Sequence, residues 1–299
     1  MTSDTIFKLR KQGCSSEALA VARENYDANA RDIWFLRAYA WVLYDQLKDV
    51  VGRFETGHLS ATELNNQFTP TMREFARFGD LLRRDTAFSQ ILRLAGKVSK
   101  DWREFLGFAR WAGTDDFSDD DRQPFVNDNG KTIDSLEQRF RRAICREAVA
   151  HLADGQSSSE LVDWGLGILD ESLAENPSDQ WLNYYQSKAH LARGEDALAI
   201  KRLVPVLRRQ SRAAWTWALL GEILEKSQPD DALVCLVYAT QLAREEQEVA
   251  KVRIHLAHRL ALQERYAEAA HQISLALKYR EDTGFKIPQE LQQLASSEW

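Results

Sequence analysis

The sequence predicts an all-α protein, an α-solenoid of stacked antiparallel helical hairpins with an irregular N-terminal half and a regular C-terminal half. Three observations carry this. Trp217, Leu220, Gly221 and Leu224, then Ala232, Leu236 and Ala239, form a pattern that returns as Leu256, Ala257 and Leu260, then Tyr266, Ala269, Ile273 and Ala276. Such spacing puts each set on one helix face. Small residues recur at Gly165, Ala199, Ala232 and Ala269, separated by 34, 33 and 37 residues. They suit places where two helix backbones approach closely and a larger side chain would overpack the contact. Finally, only 14 glycines and 6 prolines in 299 residues favour helix over an all-β design.

In chain order, Gly13 followed by Ala18 reads as a turn before a helix that Ser15 or Ser16 could cap. An aromatic helix is predicted over 33–51, carrying Trp34, Tyr39, Trp41 and Tyr44. Thr69-Pro70 predicts a helix start running to about Leu82, and amphipathic helices are predicted over 85–98 and 100–111. Residues 1–111 thus read as an irregular helical-hairpin region. Residues 112–133 (AGTDDFSDDDRQPFVNDNGKTI) form an acidic polar loop, with Asn129-Gly130 as a turn signal for a small hairpin. Asp134 or Ser135, with Glu137 or Gln138 behind it, restarts a long helix. From 134 to 299 the chain reads as repeats, four units over about 146–280, closed by a capping helix from Ile287 to Trp299. The Ser157 to Ser159 run reads as a helix-capping loop.

The repeat resembles the tetratricopeptide repeat, whose unit of about 34 residues has the W-x2-L-G-x2-Y…A-x3-F pattern. The resemblance covers roughly the second half of the chain. It implies binding as the mode of action, with a partner held against the first helix of each hairpin. Carrying over the family's groove positions gives Trp181, Tyr184 and Lys188 in one unit, Trp215, Ala218 and Glu222 in the next, then Lys251, Ile254 and His258. Trp181 and Trp215 would stand one above the other, one repeat apart, on the groove wall; the alternative is that they pack against the middle of the chain. Trp217, Trp34, Trp41 and Trp164 are assigned to packing between hairpins. Self-association through Trp34, Tyr39 and Trp41 is a further option. The lysine and asparagine pattern by which chaperone-binding repeats clamp a C-terminal carboxylate is missing from these positions.

Net charge is −6, so no global basic field recruits nucleic acid. The basic run Lys201, Arg202, Arg208, Arg209 and Arg212 reads as a solvated face, or more sharply as a contact for an acidic partner or RNA. Three cysteines, Cys14, Cys145 and Cys235, with no C-x2-C pair, read as buried thiols in a reducing compartment. With no apolar leader and no run of 18 apolar residues, the expectation is a cytoplasmic, bacterial-type chain without a membrane span.

No metal, cofactor or catalytic residue is expected. An EF-hand loop with Gly130 at its sixth place would need carboxylates where Phe125 and Leu136 stand. The carboxylates of Asp115, Asp116, Asp119, Asp120 and Asp121 could hold a divalent ion loosely, but such a loop reads first as solvated. His255 and His258, three apart, lack a third zinc ligand. Two pairs, Arg146 with His151 and Arg253 with His258, resemble the R-x4-6-H motif of HEPN ribonucleases. Glu147 and Ile254 follow the arginines, and Ile254 departs from that family's polar residue. Segments Phe105–Trp111 (FLGFARW), Gln123-Pro124-Phe125, Gly130-Lys131 and Ser135-Leu136 resemble bacterial repeat proteins of conflict or phage-defence operons. The reading is therefore a non-enzymatic scaffold binding a peptide or partner protein. An RNA-binding regulator or helical ribonuclease is the alternative.

Overall fold

A computed structural model describes residues 2–155 and 159–297, with Ser159 described by its backbone only. Ser157, Ser158 and Trp299, parts of the expected capping loop and end cap, lie outside these residues. The described chain is almost entirely helical and divides into two compact units, Met1–Glu175 and Asn176–Trp299.

The first unit holds α1 (Thr2–Lys11), α2 (Ser15–Glu24), α3 (Tyr26–Asn29), α4 (Ile33–Glu55), α5 (Ala61–Ala76), α6 (Thr86–Val98), α7 (Phe105–Ala112), β1 (Phe125–Val126), β2 (Thr132–Ile133), α8 (Leu136–Asp154) and α9 (Ser159–Glu175). Its hub is α4, which packs on α1, α2, α5 and α6. Asp32 starts α4 by accepting from the Trp34 amide at 2.9 Å, and Phe35, Leu36, Leu43, Leu47 and Val51 on it are buried.

Thr69-Pro70 does not open a helix, contrary to expectation. α5 begins at Ala61 behind a Ser60–Glu63 capping box and runs through Pro70. The buried stripe Leu64, Phe68, Met72 and Phe75 outweighs the ~3 kcal/mol that an interior proline costs. The helix expected over 100–111 starts late, at Phe105. Asn65 holds the preceding turn by donating to the Asp101 carbonyl at 2.6 Å and accepting from the Arg103 amide at 3.0 Å, while Trp102 Nε1 donates to Thr69 Oγ1 at 2.9 Å.

The acidic loop is anchored rather than simply solvated. Asp121 is buried and accepts from Ser89, from Ser118 at 2.7 Å and from Arg93 at 3.1 Å. Strands β1 and β2 pair antiparallel, Phe125 opposite Ile133, around a turn in which Gly130 takes φ +72°. Ser135 and Gln138 form the capping box that opens α8. In the α8–α9 hairpin, a Cβ on Gly165 would lie 2.5 Å from the Ala148 Cβ, so the close helix approach depends on glycine there.

Contacts place the unit boundary after Glu175, beyond the 133/134 boundary read from the sequence. The reason is that α8 packs on α6 and α7, and α9 on α7, which ties the first regular hairpin to the irregular region.

The second unit contains three hairpins and a cap: α10 (Gln180–Ala192) with α11 (Asp196–Arg209), α12 (Ala214–Leu224) with α13 (Pro229–Leu242), α14 (Glu246–Leu262) with α15 (Tyr266–Thr283), and α16 (Gln289–Ala295). Ala199, Ala232 and Ala269 each occupy the fourth position of a second helix and are essentially fully buried. Neighbouring hairpins share apolar clusters, such as Leu203, Val206, Leu219 and Ile223 between α11 and α12. The cap is shorter than expected: α16 seats Leu291 against Ile254, Ile273 and Ala276.

Candidate functional site

The site follows from how α10 and α12 begin. Asp179 caps α10, accepting from the amides of Trp181 at 2.8 Å and Leu182 at 3.0 Å. Trp181 is therefore the second residue of its helix, and Trp215 is the second residue of α12. The two indoles stack, centroids 5.2 Å apart and planes 21° from parallel. Tyr184, one turn on from Trp181, meets Trp215 edge-on at 4.9 Å. The expected vertical pairing across one repeat is thus present.

The rings differ in what they leave for a partner. Tyr184 and Trp215 are half-buried against the cluster of Leu203, Val206, Leu219 and Ile223. Trp181 is 36% exposed and forms the outer face of the stack. Burial pushes the Tyr184 hydroxyl up to about 12, and the nearby Glu222 carboxylate adds to the shift. Tyr184 is consequently a neutral hydrogen-bonding group across physiological pH. Lys188 continues the same face of α10, half-buried.

Other expected groove positions are corrected. Ala218 is buried with Ala214, Ala239 and Val249, filling the space between α12, α13 and α14. Ile254 is buried with Ala257, Ile273 and Leu291. Both are small or aliphatic and complete the stacking core, so neither can meet a partner. Lys251 and His258 are exposed on α14, without an aromatic between them. The aromatic wall is confined to α10 and α12.

The tryptophan assignments divide similarly. Trp217 packs as expected, its Nε1 donating to the Ser211 carbonyl at 2.8 Å and its ring meeting Tyr238 at 4.9 Å. Trp41 is half-buried, with the Arg10 guanidinium 4.8 Å from its ring centre. Trp34 does not pack between hairpins: it is 66% exposed, held by the Arg37 guanidinium at 5.2 Å. Tyr39, offered with Trp34 and Trp41 for self-association, is buried against Phe35 and Phe78 and donates to Glu74. It cannot anchor a second copy.

The arginines of the R-x4-H pairs are engaged structurally. Arg253 is buried, donating twice to Glu246 at 2.7 Å and once to Gln272 at 2.7 Å. Arg146 donates to Glu147 at 2.7 Å and to Ser99. His255 Nε2 lies 3.1 Å from Glu225, which also accepts from Arg259 at 2.8 Å. Among the described residues no group of three or more His, Cys, Asp or Glu side chains is placed to hold a metal. Nor is any described helix long and apolar enough to cross a membrane.

Two concavities escaped sequence reasoning. One, of about 410 Å³ in the first unit, is lined by Met72, Trp102, Phe108, Trp111 and Leu161, with Arg73 and His151 among its polar residues. The other, of about 540 Å³, adjoins the aromatic wall and includes Trp215, Arg209, Arg212 and Arg244. Both collect residues from segments distant in sequence, and only the Arg209–Arg212 portion of the second was signalled by its charge.

The fold defines an all-helical protein whose second unit stacks antiparallel helical hairpins. A family model described as a domain of unknown function, DUF7017, matches residues 180–299, from the start of α10 through the cap. No curated protein matches. Among solved structures, the chain is similar to the TPR2AB-domain:pHSP90-complex of yeast Sti1, at 15% identity and a TM-score of 0.33, over 98% of this chain and 95% of that one.

Proposed function

We propose that this chain is a non-enzymatic interaction scaffold that holds a peptide or partner protein against the α10–α12 wall. The observation that carries this reading is the stacked Trp181–Trp215 pair, whose outer indole remains 36% exposed. A pre-stacked pair loses little side-chain entropy on binding, and interface tryptophans typically contribute about 2 kcal/mol or more as anchors. Tyr184 behind them supplies a hydroxyl and fixes the Trp215 ring edge-on. The test is affinity capture from the source cell with the wild type and with Trp181→Ala plus Trp215→Ala, followed by mass spectrometry. Loss of a reproducible partner in the double variant supports the wall; identical recovery removes it.

A ribonuclease reading is less favoured because Arg253 and Arg146 are committed to Glu246 and Glu147 rather than turned toward a phosphate. Cleavage of labelled RNA that disappears in His151→Ala or His258→Ala would reverse that judgement. A place beside effector enzymes in a bacterial conflict or phage-defence system, in the cytoplasm, rests on the resemblance of segments within residues 105–136. The identity of neighbouring genes tests it.

A further inference from the structure

The aromatic wall has a charged neighbour. The α11–α12 turn and the α13–α14 turn enclose the cavity of about 540 Å³ that Trp215 also lines. Arg209, Arg212 and Arg244 stand around it, and Glu248 is the one acidic residue in its lining. Arg209 donates one Nη1 bond to the Ser178 carbonyl at 2.7 Å. The guanidinium groups of Arg212 and Arg244 have no hydrogen-bond or ion-pair partner among the described residues. Glu248 does not neutralise them by contact: its carboxylate accepts from the Arg244 backbone N–H at 3.3 Å.

Three arginines against one glutamate leave the lining of this concavity net positive, and a chain of net charge −6 has no shortage of carboxylates that could have met Arg212 and Arg244. An arginine fork matches a carboxylate in bidentate geometry, and a partly enclosed cavity screens the pair less than open water does. An extended polyanion fits poorly. Beyond the arginines it would meet Glu248 in the same lining and Glu222 near Tyr184. A short acidic segment with an apolar neighbour fits both features.

We infer that the Arg209–Arg212–Arg244 cavity takes the carboxylate side chains of an acidic peptide whose adjacent apolar residue lies on Trp181 and Trp215. This rests on the proposed wall, and it adds the chemical class of the partner.

The test is fluorescence anisotropy on the full chain with a fluorescein-labelled peptide in which glutamates flank a Leu-Trp pair, beside the same peptide with glutamine for each glutamate. The acidic peptide should bind about tenfold tighter at low ionic strength, an advantage that shrinks as salt shortens the Debye length. Arg212→Glu with Arg244→Glu should abolish that preference while leaving the glutamine peptide's affinity unchanged. Both residues are exposed, and circular dichroism checks that the fold persists. Trp181→Ala with Trp215→Ala should weaken both peptides. Equal, tryptophan-dependent binding of the two peptides overturns the inference and leaves the wall standing. An acidic preference that survives the arginine reversals overturns it, as does binding restricted to a phosphoserine version or to an RNA oligonucleotide. If neither peptide binds, the inference is also overturned.

Discussion

Replacing Gly165 by alanine tests the packing logic at its tightest point. The new Cβ would lie 2.5 Å from the Ala148 Cβ, 3.6 Å from Ile144 Cγ2 and 3.7 Å from the Ile144 carbonyl oxygen. Carbon atoms are comfortable at about 3.5–4.0 Å, so α8 and α9 must part by about 1 Å. Ala148 is completely buried and has no rotamer into which to retreat. On an isolated helix the same change would be favourable by about 1 kcal/mol, because glycine is the poorer helix former. Overpacking costs about 1–3 kcal/mol, which leaves a net loss of about 0–2 kcal/mol. Urea unfolding followed by circular dichroism measures the loss, and hydrogen exchange of the α8 and α9 amides localises it. Ala148→Gly in the same background removes the opposing methyl and should recover most of the loss, giving a favourable coupling of about 1–3 kcal/mol in the double-mutant cycle. A Gly165→Ala protein more stable than wild type by the full ~1 kcal/mol of helix propensity would refute the close approach of these helices.

Three other outcomes follow from the same contacts. Ala269→Arg places an unpartnered charge among Leu233, Leu236, Leu256 and Leu260, where it should cost more than about 4 kcal/mol and abolish cooperative melting of the second unit; Gly221→Trp, driven into Leu236 and the Ala232 carbonyl, should do the same. An unchanged calorimetric transition in either contradicts the register. Asp121→Ala strips Ser89, Ser118 and Arg93 of their shared acceptor, so cleavage within residues 112–133 under limited proteolysis should accelerate, with about 1–3 kcal/mol lost; equal digestion rates would show that Asp121 does not anchor the loop. Two carboxylates should respond to acid with opposite signs. Burial would raise Glu74, but hydrogen bonds from Arg23 and Tyr39 outweigh it and hold the group below its ordinary range; its stabilisation is present above the unfolded-state value and lost as pH falls through the folded one. Burial raises Glu147 despite Arg146, so its penalty is present at neutral pH and relieved as pH falls toward the unfolded-state value. In stability–pH curves, Glu74→Gln should flatten the acid loss and Glu147→Gln should steepen it, and parallel curves would remove the assignment.

Much of the second unit was legible because its signals are local and repeated. Ala199, Ala232 and Ala269 recur near one period, and each marks the same place in a second helix. The Trp181–Trp215 pairing was also legible, since two residues one repeat apart on equivalent helices must come together if the helices stack in register. Ala218 and Ile254 were misread for a related reason. A carried-over groove register specifies an angle on a helix, not how deeply the next hairpin covers it. In the first unit Thr69-Pro70 looked like a helix start, yet the stripe from Leu64 to Phe75 carried the helix through it. Trp34 and Tyr39 lie on one helix with similar aromatic character, and only their neighbours make one exposed and the other buried.

By itself, the order of residues determined the helical class, some capped helix starts such as that at Ser135, and the small side chains through which hairpins meet. Those properties depend on capping groups within a few residues of one another and on a 3.6-residue periodicity, both written along the chain. Tertiary structure alone decided which of the aromatics remain accessible, that the first regular hairpin joins the irregular unit, and that Arg244 arrives beside Arg209 and Arg212. These depend on contacts between segments 30 or more residues apart, where the burial of one side chain is set by the shape of another that no local pattern names.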